Sequence, residues 1–292
     1  MNDLDPIPSR DSSVPYSDEI DLREIFGVLL DGAIFIVLVT AIISIGSIIY
    51  SLQLTNHYKS ESIMFVKNDS QNQSMLSAYS GVASMMGVSI PSGGNEKAME
   101  AIELIQSRKF VKHLLTYEDI LPSMLAVESY DALSQKLIFN DELYNTQTKT
   151  WIRNQGEYDT IQPSYIEAHR EYMSNLISIN KDKETGFIKI EIEHISPIFA
   201  KELLELIIQE ANKLLRERDM KESDQALVFL TNELSKTSYA EIRESINALI
   251  KAQLEKQMMT KINEEYVLAV IEPPFIPEQK SKPIRSIIVI LS

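Results

Sequence analysis

The 292-residue chain contains no cysteine, which excludes disulfide frameworks, thiolate nucleophiles and cysteine-ligated zinc sites. Basic residues are also in short supply: 28 Lys and Arg stand against 42 Asp and Glu, giving a formal net charge of −14. Nucleic-acid binding requires a cationic surface that neutralises phosphates. The charge balance therefore argues against nucleic acid as a partner.

Sequence motifs for catalysis are missing as well. The chain has no phosphate-binding loop of the Walker type, no G-x-G-x-x-G and no G-x-S-x-G. The four histidines are far apart and form no pair at helical metal-ligand spacing. Glu193 and His194 adjoin each other in a predicted strand, so their side chains point to opposite faces and cannot converge on one metal. We expect no enzymatic activity, no cofactor and no metal.

A long uncharged run lies near the N-terminus. The stretch "GAIFIVLVTAIISIGSIIYSLQLTNHY", residues 32–58, contains no Asp, Glu, Lys or Arg. About 20 apolar residues suffice for a helix to cross a bilayer core, and the preceding arm is acidic, unlike the basic start of a secretory signal. We predict a retained transmembrane helix over residues 32–54, preceded by an acidic arm, residues 1–31, that carries a short amphipathic helix. A buried core helix is the alternative.

The C-terminus reads "EPPFIPEQKSKPIRSIIVILS". We interpret residues 286–292 as the start of a second transmembrane helix and residues 273–285 as a Pro-rich linker leading to it. Both ends would then lie in one membrane, with a single hydrophilic domain between them. An unusual apolar tail is the alternative. Counting Lys and Arg near the spans leaves the side of the membrane undecided, because long domains cross largely regardless of charge.

The pattern between the apolar ends predicts a mixed α/β base. Ile188, Ile190 and Ile192 alternate with charged residues, as expected of a strand with one buried face. We assign residues 55–195 to the base, with a Ser-, Gly- and Met-rich loop at 68–95, and residues 266–272 to its last strand.

A long helical hairpin is predicted within this domain. Neither Gly nor Pro occurs from Ile198 through Glu272. One helix of that length would extend about 100 Å, whereas the flanking strands must return to one sheet. We therefore predict an antiparallel hairpin over residues 196–265 that reverses near 235–239, where Ser238 and Glu241 fit a capping box. A compact helical core is the alternative.

Apolar stripes on the two arms are expected to face each other. The first arm contributes Leu204, Ile207, Ala211, Leu214, Leu227, Leu230 and Leu234, and the second contributes Ile242, Ile246, Ile250, Leu254, Met258 and Ile262. The run "RERDMKESDQ" interrupts the first stripe. Such runs are usually solvated faces, but six of its residues could also pair with neighbouring copies of the hairpin: Arg216, Glu217, Arg218, Asp219, Lys221 and Glu222.

The order of these segments resembles a known family. An acidic arm ending "EIDLREIF" precedes the apolar helix, and "YKSESIMFV", "AIELIQSRKFV", "NLISINKDKETGFIKIEIEHISPIFAK" and "YVLAVIEPPFIPEQKSKPIRSIIVIL" follow it. Over nearly its whole length the chain resembles the bacterial polysaccharide chain-length determinants, or Wzz-type polysaccharide co-polymerases. It departs from many members in a shorter hairpin and in an incomplete second span.

The resemblance implies both an architecture and a role. It implies an α+β membrane protein in which two transmembrane helices flank a periplasmic domain with a small mixed sheet and a long antiparallel helical hairpin. Both termini would be cytoplasmic, and the protein would lie in the inner membrane. Family members are non-enzymatic ring homo-oligomers that set the chain length of O-antigen or a related polymer made by a separate polymerase. The implied partners are further copies of the chain, that polymerase, the lipid bilayer and the growing glycan.

The Pro-rich approach to the second span is the predicted coupling segment, because proline locks φ and resists helix formation. We expect it to connect the ring to the polymerase in the membrane, through Pro273, Pro274, Pro277, Pro283 and Arg285. A rigid spacer between sheet and bilayer is the alternative. Two further functions stay open: the membrane subunit of a capsule or exopolysaccharide system paired with a tyrosine kinase, and a helical-hairpin membrane adaptor.

Overall fold

The computed structural model describes residues 32–66, 93–155, 158–262 and 265–291. The predicted arm, residues 1–31, and residues 68–92 of the predicted loop lie outside this description. The helices are α1 (Ala33–Gln53), α2 (Gly93–Gln106), α3 (Arg108–Leu114), α4 (Ile120–Leu125), α5 (Tyr165–Glu171), α6 (Pro197–Lys236), α7 (Ala240–Ile262) and α8 (Arg285–Leu291). The strands are β1 (His57–Val66), β2 (Val127–Asp131), β3 (Lys136–Phe139), β4 (Tyr144–Asn145), β5 (Thr150–Trp151), β6 (Ile177–Lys181), β7 (Ile188–His194), β8 (Leu268–Glu272) and β9 (Lys280–Lys282).

The described residues form two units, and the smaller one comprises residues 32–54 together with 284–291. Its α1 has 21 residues and a mean hydropathy of 2.6, so it extends about 32 Å and is long enough for a bilayer core of about 30 Å. Helix α8 contacts α1, and Ser47 Oγ lies 3.4 Å from the Ile288 carbonyl oxygen. Among the described residues, α1 alone is long and apolar enough to cross a membrane; the seven residues of α8 do not meet that length.

The larger unit, residues 55–283, is built on an antiparallel sheet. The strand order is β6–β7–β1–β8, with β9 also paired to β1. Ile190 of β7 opposes Ser62 of β1 and Ile179 of β6. The turn before β7 uses Asp182 Oδ1, which accepts from the backbone N–H groups of Glu184 and Thr185, and Gly186 takes φ 74°. The predicted alternation of β7 is confirmed, since Ile188, Ile190 and Ile192 are fully buried.

One face of the sheet packs on the first half of α6. Ser196 caps this helix by accepting from Phe199 N–H, and Pro197 occupies its first turn. Backbone N–H groups in the first turn have no acceptor within the helix, so a proline there costs no hydrogen bond. Leu203, Leu204 and Ile207 are buried against the sheet together with Phe110 of α3. Each such side chain contributes about 1.5–3 kcal/mol by leaving water. The base core therefore includes the start of the predicted hairpin.

The α+β class with a helical hairpin is confirmed. Helices α6 and α7 have 40 and 23 residues, or about 60 Å and about 35 Å at 1.5 Å per residue. Thr237–Tyr239 joins them. Helix α7 begins at Ala240, so Tyr239 and not Ser238 precedes its first residue.

The prediction of two facing apolar stripes is wrong for much of their length. Leu204, Ile207 and Ala211 belong to the base core. On α7, Ile246 is fully buried, but Leu254 is 46% exposed and Ile262 is 72% exposed. Residues four apart advance by about 40° around a helix of 3.6 residues per turn, so six of them wind through about 200°. The stripe therefore leaves the interface at both ends.

Candidate functional site

The predicted coupling segment is held against β1 rather than extended as a free linker. Ser62 Oγ donates to the Glu272 carbonyl at 2.7 Å, and Ser60 Oγ donates to the Phe275 carbonyl at 2.8 Å. Both serines are fully buried. Prolines carry no N–H and interrupt the ladder between strands, so these hydroxyls supply the hydrogen bonds that the backbone carbonyls would otherwise lack.

The four prolines differ in their surroundings. Pro273 is exposed, Pro274 is half-buried and Pro277 is buried, while Pro283 ends the larger unit and is half-buried. Arg285 begins α8 in the smaller unit. The coupling role of these residues stays a prediction.

Past the prolines, β9 brings the two ends of the larger unit together. Lys282 of β9 pairs with His57 of β1. Ser281 Oγ lies 2.7 Å from Glu193 Oε1 and 3.1 Å from the His57 carbonyl, and Lys282 Nζ lies 2.8 Å from Glu193 Oε2. His57 follows Gln53, the last residue of α1, by four positions, and Arg285 follows Lys282 by three. The chain therefore enters and leaves this unit at paired positions of neighbouring strands.

Glu193 is the carboxylate that holds this exit clamp, which we define as Glu193, His57, Ser281 and Lys282. Partial burial raises its pKa, but the hydrogen bonds from Lys282 and Ser281 outweigh burial and leave the pKa below its ordinary value. The side chain is therefore ionised at neutral pH. It lies on the solvent side of β7, opposite to the buried His194.

Two residues of the charged run of α6 contact other elements of the chain. Asp219 is buried, accepts a 2.6 Å hydrogen bond from Tyr266 Oη and lies 3.7 Å from Lys97 Nζ and 3.8 Å from Lys256 Nζ. Arg218 forms a 2.6 Å ion pair with Glu100 of α2. These contacts tie α6, α7, α2 and the approach to β8 to one carboxylate.

The other members of the run lie further out. Glu217, Lys221 and Glu222 are exposed, and Arg216 is half-buried. The inter-protomer role of the six charged residues stays a prediction. No sequence signal marked Asp219 as different from its neighbours, since its partners lie about 120, 40 and 50 positions away in the chain.

The hairpin tip depends on a residue that sequence reasoning missed. Arg243 Nη1 donates to the Leu234 carbonyl at 3.1 Å and to the Thr237 carbonyl at 3.2 Å. The last carbonyls of a helix have no intrahelical partner, so an arginine one turn into α7 closes the end of α6. A cation shortly after a predicted reversal is the signal that could have identified it.

His194 and His113 form hydrogen bonds that connect elements of the fold. His194 is buried, donates from Nε2 to the Ser123 carbonyl at 2.9 Å and accepts at Nδ1 from the Ser196 N–H at 3.0 Å. Burial lowers its pKa to about 4. His113 Nε2 lies 2.6 Å from Glu210 Oε2 on α6. Among the described residues no group of three or more His, Asp or Glu could hold a metal ion.

Comparison with protein families gives one match. Residues 18–117 match the family model described as Wzz, chain length determinant protein. Over this segment, about a third of its length, the chain is similar to that family. Wzz-family proteins are membrane proteins, in keeping with α1. No curated protein matches the chain.

Two solved structures show a weaker likeness. One is a full-length bacterial polysaccharide co-polymerase, 11% identical, with a TM-score of 0.34, covering 93% of this chain and 92% of that one. The other is a fragment of WzzB, a polysaccharide co-polymerase from Salmonella Typhimurium, 12% identical, with a TM-score of 0.32, covering 78% of this chain and 100% of that one. TM-scores below 0.5 do not establish a shared overall fold, so the likeness to the family rests on residues 18–117.

Proposed function

We propose that this protein regulates the chain length of a bacterial surface polysaccharide, O-antigen or a related polymer, without making or breaking bonds itself. The match of residues 18–117 to the chain length determinant family carries the proposal. It acts as a closed ring of identical copies beside a separate polymerase in the inner membrane. A ring of acidic hairpins offers a repeated surface for many weak contacts, with the growing glycan or with several polymerase copies, and such contacts together lengthen residence without one strong site.

The proposed topology places residues 55–283 in the periplasm and both termini in the cytoplasm. The apolar α1 and the exit clamp support it, because the clamp holds the entering and leaving chain side by side. The absence of cysteine allows a direct test. Lys183→Cys in the β6–β7 turn is expected to react in cells with a membrane-impermeant maleimide once the outer membrane is permeabilised. Asp5→Cys in the arm is expected to react only after the inner membrane is opened, and the reverse pattern would overturn the topology.

The proposed contact between copies uses apolar side chains that the hairpin leaves exposed. On α7, Leu254 is 46% and Met258 is 62% exposed, and Val228 of α6 is 72% exposed. Leu254 and Met258 lie one turn apart on α7, and exposed apolar side chains grouped in this way commonly mark an interaction site. A heterologous contact repeated by rotation closes into a ring. The exposed charges Glu217, Lys221 and Glu222 lie on α6 nearer its start.

The ring is tested by replacing this surface. Met258→Glu is expected to reduce the mass of the detergent-purified particle, measured by light scattering, because it places a charge in an apolar contact. Lys251→Glu, at an exposed polar position of the same helix, is the matched control. A stably monomeric parent protein would contradict the ring.

The function itself is tested by complementation. Deleting the gene is expected to broaden or shift the length distribution of the surface polysaccharide on a gel, and returning the gene is expected to restore it. For the coupling segment, the double change Pro274→Ala and Pro277→Ala is expected to shift the modal length at normal protein level. Pro273→Ala, at an exposed proline, is the control. An unchanged length distribution after deletion would overturn the proposed function. An unchanged modal length in the double variant would show that the segment acts only as a rigid spacer.

A further inference from the structure

The two arms of the hairpin meet through a polar band between two apolar clusters. The base core ends on α6 at Leu215, and the distal cluster consists of Leu230, Ile246 and Leu249. Between them the buried side chains of the two helices are all polar in the described residues: Asp219, Ser223, Gln253 and Thr260. The contact that sets the hairpin on the base is thus the least apolar part of it.

The hydrogen bonds of this band run from one helix to the other. Ser223 Oγ lies 2.9 Å from Gln253 Oε1 and 3.3 Å from the Gln253 carbonyl oxygen. One turn further towards the base, Gln257 Nε2 donates to Asp224 Oδ1 at 2.6 Å. Asp219 ends the band with its contacts to Lys256 and Tyr266. Hydrogen bonds are directional, so this set is satisfied at a single axial position of α7 along α6.

The apolar residues of α7 do not specify that position by themselves. A shift of α7 by four residues, about 6 Å, would place Ile250 where Ile246 packs and Leu254 where Ile250 packs. Gln257 would then lie opposite Ser223 in place of Gln253. The packing sites of Ile246 and Ile250 would again hold apolar side chains, and Ser223 would again face a glutamine. Sliding of one element past another by a single turn is a known kind of transition between packed helices.

Gln253 opposes this shift. In the shifted position it would occupy the place of Leu249, which is 2% exposed in the distal cluster. An amide buried among apolar side chains without a partner is strongly disfavoured, whereas in the observed position the same amide accepts from Ser223. Polar side chains at otherwise apolar helix contacts are known to select one register in this way.

We propose that Gln253 is the register-determining residue of the hairpin, with Asp219 holding the base end of α7 through Lys256 and the approach to β8 through Tyr266. The register decides which apolar residues face outward, since the shifted α7 would move Leu254 to the partly buried site of Ile250 and Ile246 to the exposed site of Ile242. The following consequence rests on the proposed function. If the hairpins of different copies had different registers, the copies could not all make identical contacts with one another. The spread of polysaccharide lengths then widens while control of length persists.

Cross-linking of the full-length protein in membranes tests the register directly, because native thiols are absent. The pair Asp224→Cys with Gln257→Cys reports the observed register, and Asp224→Cys with Lys261→Cys reports the shifted one. With a short bifunctional thiol reagent, the otherwise unchanged chain is expected to link only the first pair. Adding Gln253→Leu is expected to raise the yield of the second pair relative to the first about tenfold, a change that one buried hydrogen bond can account for.

Gln257→Leu, tested with the shifted pair alone, is the matched control. This change also removes a glutamine, one turn from Gln253. In the shifted position it would place a leucine opposite Ser223, so the cross-linking yield of the shifted pair is not expected to rise. If Gln253→Leu fails to accumulate, Gln253→Met, of similar volume to glutamine, carries the same expectation. An unchanged yield of the shifted pair, or an equal rise in the control, overturns the proposal. This readout needs no polysaccharide, so it fails or succeeds independently of the proposed function.

Discussion

The base and the distal hairpin of the larger unit are held together differently. In the base, sheet residues such as Ile190 and helix residues such as Leu204 are fully buried in one continuous apolar core. The distal hairpin has three buried apolar residues and two partly buried ones, joined to the base through the polar band. Apolar burial gives stability without direction, whereas buried hydrogen bonds give direction with little net stability. The base is thus built to stay folded, and the hairpin is built to keep one arrangement.

The largest expected effect is a difference in stability loss when the same substitution, isoleucine to alanine, is made in each of the two regions. Ile190→Ala removes a fully buried side chain from the base and is expected to lower the free energy of unfolding by about 3–5 kcal/mol. Ile246→Ala, also fully buried, is expected to lower it by only about 1–2 kcal/mol, because the distal hairpin can open while the base stays folded. Urea denaturation of the detergent-solubilised chain measures both. Equal losses would show that the two regions unfold as one, and the comparison above would be wrong.

A second expectation concerns the loss of stability at low pH, which we expect in the sheet-containing base and not in the distal hairpin. The folded pKa of His194 is about 4, below the 6.5 of a solvated histidine, so the unfolded chain binds the proton first as pH falls. Stability from this site is fully present above pH 6.5 and is lost as pH approaches 4. We expect a loss of about 2 kcal/mol between pH 7 and 5. His194→Gln is expected to abolish most of this dependence of the unfolding free energy on pH. If the variant loses as much stability between pH 7 and 5 as the parent, other titratable groups cause the loss.

The smallest expected effect lies at the hairpin tip. Arg243→Ala leaves the carbonyls of Leu234 and Thr237 without their donor and is expected to destabilise the tip by about 1 kcal/mol. Hydrogen exchange at amides near residues 234–246 is expected to accelerate about fivefold, with exchange in β7 unchanged. Arg243→Lys is expected to recover part of the protection. Faster exchange in β7 would mean that tip and base are coupled more tightly than the polar band implies.

Local patterns predicted the elements of the base well. The alternation of Ile188, Ile190 and Ile192 predicted β7 and its buried face, and residue 196, the predicted start of the hairpin, is the N-cap of α6. These signals are local because a strand face and a helix cap depend on neighbours within a few residues. Within the base, Ser107 separates α2 from α3 and caps α3 by accepting from Phe110 N–H.

The relations between distant elements were less predictable. The exact winding of α7 decided which isoleucines are buried, and a stripe counted in fours could not show it. Asp219 acquires its partners from three other parts of the chain, and the carbonyls of Glu272 and Phe275, which flank the proline pair, accept from Ser62 and Ser60 on β1. Charge and proline content indicated that these segments were unusual. They could not indicate which distant residues of the chain these segments contact.

The pairing of His57 with Lys282 has a mechanical consequence. Directly paired strand residues lie about 5 Å apart, so the chain enters and leaves the larger unit at points separated by little more than that. In the proposed topology, two membrane attachments this close together would give little resistance to tilting of a hairpin whose longer arm measures about 60 Å. In the proposed ring, contacts with adjacent copies would have to supply that resistance.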